Sequence, residues 1–209
     1  MLNLEGERMC GRYYIKESTE MDEIIRLMNA SPLKLALEKR ELGVRTYGER
    51  FPLEVVPVIA SDRRGKRAVF PMKWGYNIGK LVINARVETA AEKPLFQNDW
   101  KRHRCVIPAS WYFEWEHRKG SDGKVHTLDK YLIQPRGKDI TWLCGLYQIK
   151  DGLPSFVILT KEAEEEIRFI HDRMPVILPD DLVSDWIRPD VPPEQFVRQA
   201  LTEMVFKKA

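Results

Sequence analysis

The stretch from Phe51 to Thr160 is a series of short β-prone runs separated by Gly and Pro, and this pattern constrains the fold more than any other feature of the sequence. Short runs of β-branched and aromatic residues between turn residues predict strands. The predicted strands cover residues 55–60, 81–83, 105–107, 111–116, 131–134, 141–146 and 156–159.

Helices are predicted on either side of this β-rich region and once inside it. Apolar residues recur at helical spacing from Met21 to Met28, which predicts a helix over Thr19–Asn29 with Thr19 and Asp22 as a capping box. Further helices are predicted within residues 31–47, over residues 88–100, over residues 161–170 with Thr160 as the cap, and after Pro179 and Pro193. Many short strands and few helices, not in strict alternation, predict the fold class α+β: a compact single domain with a barrel-like, mainly antiparallel β-sheet and a few flanking helices.

Composition and motif content exclude several classes of protein. A hydrophobic fraction of 44% over 209 residues is too high for a disordered chain and sufficient for a core. No apolar run approaches the ~20 residues of a membrane span, and no secretory pattern opens the chain, so no membrane partner and a cytoplasmic location are expected. The three cysteines (Cys10, Cys105 and Cys144) form no C-x-x-C pair, and no nucleotide-binding glycine motif occurs. We therefore expect no metal and no cofactor.

The first candidate for chemistry is Cys10, which follows a second methionine, Met9. Residues 5–7, Glu-Gly-Glu, can be encoded by a purine-rich run that resembles a bacterial ribosome-binding site just before the Met9 codon. Cysteine is also small enough for an initiator methionine to be removed in front of it. We therefore expect residues 1–9 to be a leader that the mature protein lacks, and residues 10–209 to form one domain. The alternative is a genuine tail with Cys10 inside the chain.

A cysteine at the chain start has a chemistry that an internal cysteine lacks. Its α-amino group has a pKa of about 8, so an appreciable fraction is unprotonated and nucleophilic at neutral pH. The amine can condense with an aldehyde to a Schiff base, and the adjacent thiol can close on the imine carbon to give a five-membered thiazolidine. If residues before Cys10 remain attached, its nitrogen is an amide and this reaction cannot occur.

Two segments of the β-rich region carry further polar candidates. Asn84 follows an apolar run and is either a turn or cap residue or an amide that binds a substrate and the terminal amine, while Arg86 can bind a phosphate bidentately. Strand alternation puts Glu114 on the face opposite Trp111 and Trp115. Glu114 is therefore either solvated or partly desolvated beside aromatic residues. In the second case its pKa rises toward neutrality, which suits acid–base catalysis.

His171 and Arg173 complete the candidate set. His171 lies where the helix predicted over residues 161–170 ends, and a helix C-terminus favours the imidazolium form. It is either a helix cap or a residue that shuttles a proton at neutral pH, and Arg173 can bind a phosphate. The remaining histidines lie in polar, loop-like segments and have no comparable case: His103, His117 and His126.

Five short motifs occur in the order of a known family: residues 9–12 (Met-Cys-Gly-Arg), 74–76 (Trp-Gly-Tyr), 83–89 (Ile-Asn-Ala-Arg-Val-Glu-Thr), 113–115 (Phe-Glu-Trp) and 171–175 (His-Asp-Arg-Met-Pro). On these motifs the chain resembles the SOS-response-associated peptidase family, the abasic-site processing proteins. The resemblance implies a compact α+β domain with a barrel-like antiparallel sheet. It also implies a monomeric, nucleoid-associated protein that senses abasic sites in single-stranded DNA.

The resemblance further implies a role for each catalytic candidate. Cys10 would form the Schiff base and then the thiazolidine, a covalent DNA–protein crosslink that shields the lesion. Asn84 would hold the terminal amine and the sugar, Glu114 would orient the amine and move protons, and His171 would assist opening of the sugar ring. The family's peptidase label reflects proposed self-removal of the residues before the cysteine, and strand cleavage through the Schiff base (lyase activity) would be minor.

Contacts to DNA follow from the same resemblance. Backbone phosphates would be held by the three motif arginines, Arg12, Arg86 and Arg173. Family members often carry a tryptophan-rich insertion after the Trp-Gly-Tyr motif, whereas residues 76–80 here lack tryptophan, so base stacking is expected to use Tyr47, Phe51 or Tyr76. The residues themselves leave two other classes open: an N-terminal-cysteine peptidase or amidohydrolase, and a non-catalytic single-stranded DNA-binding module.

Overall fold

The structure, a computed structural model, describes residues 10–209. Within these residues it contains fifteen β-strands, six α-helices and two 3₁₀ turns. The strands are β1 (Arg12–Ile15), β2 (Gly48–Arg50), β3 (Val55–Ser61), β4 (Arg67–Trp74), β5 (Tyr76–Asn77), β6 (Leu81–Val82), β7 (Asn84–Arg86), β8 (Arg104–Ala109), β9 (Trp111–Lys119), β10 (Val125–Pro135), β11 (Thr141–Lys150), β12 (Leu153–Glu162), β13 (Arg173–Pro175), β14 (Ile177–Leu178) and β15 (Met204–Lys208). The helices are α1 (Thr19–Asn29), α2 (Pro32–Glu38), α3 (Val87–Ala90), α4 (Gln97–Arg102), α5 (Val183–Trp186) and α6 (Glu194–Val197), and the 3₁₀ turns are Glu165–Ile167 and Asp180–Leu182.

Five strands close into a barrel in the order β12, β4, β3, β8 and β11, because β11 pairs again with β12. These pairs are antiparallel except for β12 with β4, which is parallel. Inward-facing side chains fill a small closed barrel, and β8 is buried along its whole length. Three short strands extend the wall: β7 and β13 pair with β12, and β14 pairs with β11. The predicted α+β class with a barrel-like, mainly antiparallel sheet is confirmed.

A second sheet of five antiparallel strands has the order β15, β10, β9, β1 and β2. Glu114 of β9 lies directly opposite Tyr131 of β10, which lies opposite Lys208 of β15. Directly paired residues share one face of a sheet, so these three side chains lie on the same side. Strand alternation places Trp111 and Trp115 of β9 on the other side, as predicted.

Two buried residues hold the barrel and its helices together. A Cβ on Gly145 of β11 would lie 2.8 Å from the carbonyl oxygen of Val157 and 2.7 Å from the side chain of Ile107, so glycine permits β11 to approach both neighbouring strands. Arg104, at the start of β8, is buried and donates a hydrogen bond to the carbonyl of Trp186 at 2.7 Å. That bond ties α5 to the barrel wall.

Several helix predictions are confirmed. Helix α1 has the predicted bounds, and α2 lies within the segment predicted to hold a second helix. The predicted cap is wrong by one residue, because the Ser18 hydroxyl accepts the hydrogen bond from the N–H of Met21 at 3.3 Å. Short helices follow Pro179 and Pro193 as predicted. Within the described part of the chain, no helix combines the length and apolar content of a membrane span.

Two helix predictions are wrong. Residues 88–100 do not form one helix but parts of α3 and α4, with Pro94 between them, since a proline ring blocks the continuation of a helix. Residues 161–170 hold only a 3₁₀ turn, because β12 continues through Thr160 to Glu162. Glu162 pairs with Arg173 of β13, so strand pairing overrides the helical spacing of the apolar residues.

Candidate active site

Cys10 lies just before β1 at the start of the second sheet, and its side chain is fully buried. Strand β1 pairs with β9 so that Arg12 lies opposite Phe113, which brings the residues before β1 alongside Glu114. The backbone N–H of Cys10 donates a hydrogen bond to Oε1 of Glu114. Burial, with a smaller contribution from the charge of Glu114, holds the pKa of the Cys10 thiol well above its usual range. The thiol is therefore protonated at neutral pH.

Glu114 is a buried carboxyl on β9, with 2% of its surface exposed. Burial raises the pKa of Glu114 to about 8; hydrogen bonds from the N–H groups of Cys10 and Trp115 oppose this rise, and the charge of Asp172 adds to it. A carboxyl with this pKa can accept or donate a proton near neutral pH. Of the two alternatives open for Glu114, the structure excludes the solvated one.

His171 lies in the segment between β12 and β13. Its Nδ1 accepts a hydrogen bond from the backbone N–H of Arg173 at 3.0 Å and lies 3.0 Å from Oδ1 of Asp172. A neutral ring with its proton on Nε2 satisfies the first contact, and a protonated ring presents Nδ1–H to Asp172. The His171 ring centroid lies 6.0 Å from that of His117 on β9, the strand that also carries Glu114.

A cavity of about 350 Å³ is lined by Arg86, Glu162, Arg168, Asp172 and Arg173. It forms where β7 and β13 pair with the end of β12. The lining has three arginines and two acidic residues, so its net charge is positive, which favours binding of a phosphate. Asp172 also contributes to the raised pKa of Glu114, so the charge of this cavity residue acts on the carboxyl that contacts Cys10.

Strand β7 carries two of the predicted site residues. Asn84 is half-buried at its start, and Arg86 is exposed at its end, at the cavity. Arg173 is buried instead, and its guanidinium donates to the two carboxylate oxygens of Glu88 at 2.6 and 2.8 Å and to the carbonyl of Thr160 at 2.7 Å. Arg173 therefore ties β13 to β12 and α3, and a phosphate would have to compete with Glu88 for it.

Arg12 has different surroundings from the other two arginines. Its pairing within the second sheet places it on the face opposite Glu114. The guanidinium carbon lies 4.8 Å from the ring centroid of Phe51 and 5.0 Å from that of Trp115. These are cation–π distances, so Arg12 is held among aromatic rings on the outer face of the sheet.

The prediction that Tyr76 stacks on DNA bases is wrong. Tyr76 is fully buried, and its hydroxyl donates to Oδ2 of Asp99 at 3.0 Å. Tyr47 is half-buried with its hydroxyl hydrogen-bonded to Asp22. Phe51, the third predicted stacking residue, is exposed and contacts Arg12, on the face of the second sheet opposite Glu114.

Three residues around this site were not predicted from the sequence: His117, Arg168 and Asp172. His117 belongs to a strand and not to a loop, because β9 runs three residues further than predicted, to Lys119. Because residues 161–170 were incorrectly predicted to form a helix, the position of Arg168 at the cavity was not predicted. Because His171 does not follow an α-helix, the helix-dipole reason for its protonation is also wrong.

The fold and the site together define a class of protein: an α+β barrel in which a buried carboxyl contacts the backbone nitrogen of a buried cysteine. Residues 9–208 match the family described as SOS response associated peptidase (SRAP), and the chain belongs to this family. The resemblance found in the sequence motifs is thereby confirmed.

Several known proteins are similar to this chain. Abasic site processing protein YoqW of Bacillus subtilis is 31% identical over 194 residues, which cover 87% of this chain and 81% of the relative. Abasic site processing protein YedK of Escherichia coli is 27% identical over 191 residues, or 88% and 81% of the two chains. A solved structure from Bacteroides thetaiotaomicron superposes with a TM-score of 0.73 at 20% identity, covering 95% of this chain and 91% of the other, and shows the same fold.

Proposed function

We propose that this protein processes abasic sites in single-stranded DNA by forming a thiazolidine crosslink through Cys10, which shields the lesion. The observation that carries the proposal is the hydrogen bond between the Cys10 nitrogen and the buried carboxyl of Glu114. Relatives named abasic site processing proteins support the substrate class. The protein would act as a monomer at the nucleoid, in the cytoplasm.

The chemistry requires a free amine on Cys10. Residues 1–9, predicted to be a leader, lie outside the described residues, and while they are attached the Cys10 nitrogen is a peptide nitrogen. Their removal, by loss of an initiator Met9 or by self-cleavage of the bond after Met9, converts that nitrogen into an amine. The amine then lies within hydrogen-bond reach of Glu114.

The first covalent step is formation of the Schiff base. Burial favours the neutral forms of both groups, so the α-ammonium of Cys10, whose ordinary pKa is about 8, can pass a proton to the Glu114 carboxylate that it contacts. The neutral amine attacks the aldehyde carbon of the opened abasic deoxyribose, and a carbon–nitrogen bond forms. The former carbonyl oxygen leaves as water with two protons, one returned by Glu114 and one from the attacking nitrogen, and the protonated Schiff base remains.

The second covalent step closes the sulfur ring. The Cys10 sulfur bonds to the imine carbon, and the thiol proton moves to the imine nitrogen, so that no further atom leaves. Burial holds the pKa of the thiol high, which keeps this proton available until the imine has formed.

His171 is proposed to open the sugar ring before either step. Opening the cyclic hemiacetal requires a proton on the ring oxygen and loss of the anomeric hydroxyl proton. Because Nδ1 of His171 accepts the N–H of Arg173, Nε2 carries the transferable proton of the neutral ring.

The remaining predicted residues are proposed to bind the substrate. Asn84 would hold the amine and the sugar, beside Arg86 on the same strand. Arg86 would bind a backbone phosphate in the cavity, Arg173 would bind one by displacing Glu88, and Arg12 would bind one at the outer face of the second sheet. A flexible anionic strand passing the cavity can meet Arg86 and Arg173, whereas Arg12, on the opposite face of the second sheet, would meet a more distant part of the strand.

The test uses protein that begins at Cys10 and a single-stranded oligonucleotide with one abasic site, compared on denaturing gels with the same strand lacking that site. We expect a mobility shift with the abasic strand only. Cys10→Ser retains the amine without the stable sulfur ring, so its adduct should reverse or proceed to strand cleavage. Cys144→Ala, which changes a buried cysteine in β11, is the matched control and should retain the shift.

Two outcomes would contradict the proposal. The first is the absence of any adduct from wild-type protein whose mass shows that Cys10 is the first residue. The second is a persistent adduct from Cys10→Ser with the stability of the wild-type adduct. Cleavage of an acyl substrate without a DNA adduct would instead support an N-terminal-cysteine amidohydrolase.

A further inference from the structure

We propose that Phe169 and Phe206 form a stacking platform for the nucleobases that neighbour the abasic site. Phe169 lies in the segment between β12 and β13, and Phe206 lies on the edge strand β15. The inference rests on the proposed function for its substrate, single-stranded DNA. It assigns the stacking contact to residues that the sequence motifs do not include.

The two phenylalanines form one exposed aromatic surface. They are 49% and 41% exposed, and their ring centroids lie 5.3 Å apart. Both contact the ring of Tyr131 in edge-to-face geometry, at 5.7 and 5.9 Å. Tyr131 itself is buried, and its hydroxyl donates to Glu116 at 3.4 Å, so the exposed rings rest on an anchored one. Neighbouring aromatic rings held in the open are typical of an interaction site.

The register of the second sheet places this platform near the reacting atoms. Tyr131, on which both rings rest, lies directly opposite Glu114 on the next strand and on the same face. Neighbouring strands are ~4.8 Å apart, so the backbone of Tyr131 lies about one strand spacing from that of Glu114, whose carboxyl contacts Cys10. A nucleotide adjacent to a sugar bound at Cys10 can therefore reach the exposed rings.

Cations on both sides of the platform favour DNA over an apolar protein partner. Arg168 precedes Phe169 and lines the cavity that Arg86 shares. Lys208, on the same face of β15 as Phe206, is exposed and pairs with Asp129 at 2.6 Å. Aromatic faces flanked by cations that follow a phosphate backbone are how proteins bind single-stranded nucleic acid without reading its sequence.

The first measurement is the dissociation constant for an unmodified single-stranded oligonucleotide, determined by fluorescence anisotropy. Phe169→Ala and Phe206→Ala should each weaken binding about tenfold, because each removes one ring on which a base stacks. Phe169→Trp should bind as tightly as wild type, whereas Phe169→Leu, which keeps an apolar side chain, should bind as weakly as Phe169→Ala. Leu35→Ala, an exposed apolar residue on α2, is the matched control and should not change binding.

The second measurement uses a strand in which unreactive abasic analogues replace the central nucleotides. Wild type and Phe169→Ala should bind this strand equally, because no base remains to stack. Two results would overturn the platform. One is equal binding of wild type and Phe169→Leu to the unmodified strand. The other is that Phe169→Ala weakens binding to the strand with abasic analogues as much as it weakens binding to the unmodified strand. Because neither measurement requires a reaction at Cys10, both remain interpretable if the proposed crosslinking fails.

Discussion

Glu114 links the fold to the chemistry through a single side chain. Its burial follows from the alternation of β9, whose inner face also carries Tyr112 and Glu116. The burial that disfavours the ionised carboxylate is the same property that gives the carboxyl a pKa suited to proton transfer at neutral pH. The residue therefore destabilises the folded chain as pH rises, and this consequence is measurable.

Glu114→Gln should remove that pH dependence. The pKa of Glu114 is raised to about 8 in the folded chain, against about 4.3 in an unfolded one. Between these values the folded state holds a proton that the unfolded state has lost, so the free energy of unfolding contributed by Glu114 falls as pH rises from about 4 to 8. Since glutamine cannot ionise, the melting temperature of Glu114→Gln relative to wild type should increase from pH 5 to pH 9.

Thermal unfolding of both proteins at pH 5, 7 and 9 provides the measurement. Glu116→Gln is the control, because Glu116 is a buried acid on the same face whose charge Arg118 compensates at 2.6 Å. A difference between wild type and Glu114→Gln that does not vary with pH would show that the carboxyl has an ordinary pKa.

His171 and Arg86 should differ in kinetics because one is proposed to move a proton and the other to bind DNA. His171→Ala should lower the maximal rate of adduct formation at saturating abasic DNA by roughly 10²-fold or more, the usual contribution of a general acid or base. Arg86→Ala should raise the DNA concentration at half-maximal rate and leave the maximal rate nearly unchanged. Time courses over a range of DNA concentrations separate the two, and equal maximal rates for wild type and His171→Ala would remove His171 from the mechanism.

At the scale of elements, local sequence patterns predicted the helices and strands that depend on residues nearby in the sequence. They failed for elements whose structure depends on pairing with a distant strand. The bounds of helix α1 were predicted correctly, because the apolar residues at helical spacing are the ones that pack into the core. Residues 161–170 have comparable spacing, yet β12 extends to Glu162, because β13 offers strand partners there. Strands β1, β4 and β15 were not predicted, because which segments become strands depends on whether a neighbouring strand pairs with them.

Closure of the barrel depends on the absence of a side chain at Gly145. A Cβ there would meet the carbonyl oxygen of Val157 at 2.8 Å, and main-chain atoms of a paired strand cannot move aside cheaply. Gly145→Ala should therefore lower the free energy of unfolding by about 1–3 kcal/mol, the usual cost of overpacking. Denaturant unfolding measures this, with Gly43→Ala as the control because no atom lies within 4 Å of a Cβ there. Equal stability of the two variants would contradict the close approach of β11 and β12.

At the scale of the whole molecule, the sequence motifs identified candidate residues but not their arrangement. Cys10 and Glu114 are 104 positions apart, and only the pairing of β1 with β9 brings them into contact. The ion pair between Arg173 and Glu88 joins two motifs that the sequence presents separately. No spacing rule could place Arg12 on the opposite face of the sheet from Glu114, because that requires knowing which strand is its partner.

The proposed crosslinking chemistry depends on an unblocked nitrogen at Cys10, and intact-mass spectrometry tests this requirement most directly. Protein beginning at Cys10 and a variant with one glycine added to the Cys10 nitrogen are each incubated with abasic single-stranded DNA, after their starting masses are verified. We predict for the first a product with the mass of protein plus DNA minus one water, and no such product for the second. A product of that mass from the glycine-blocked chain that survives denaturation, as an imine on the glycine amine would not, would contradict the proposed chemistry.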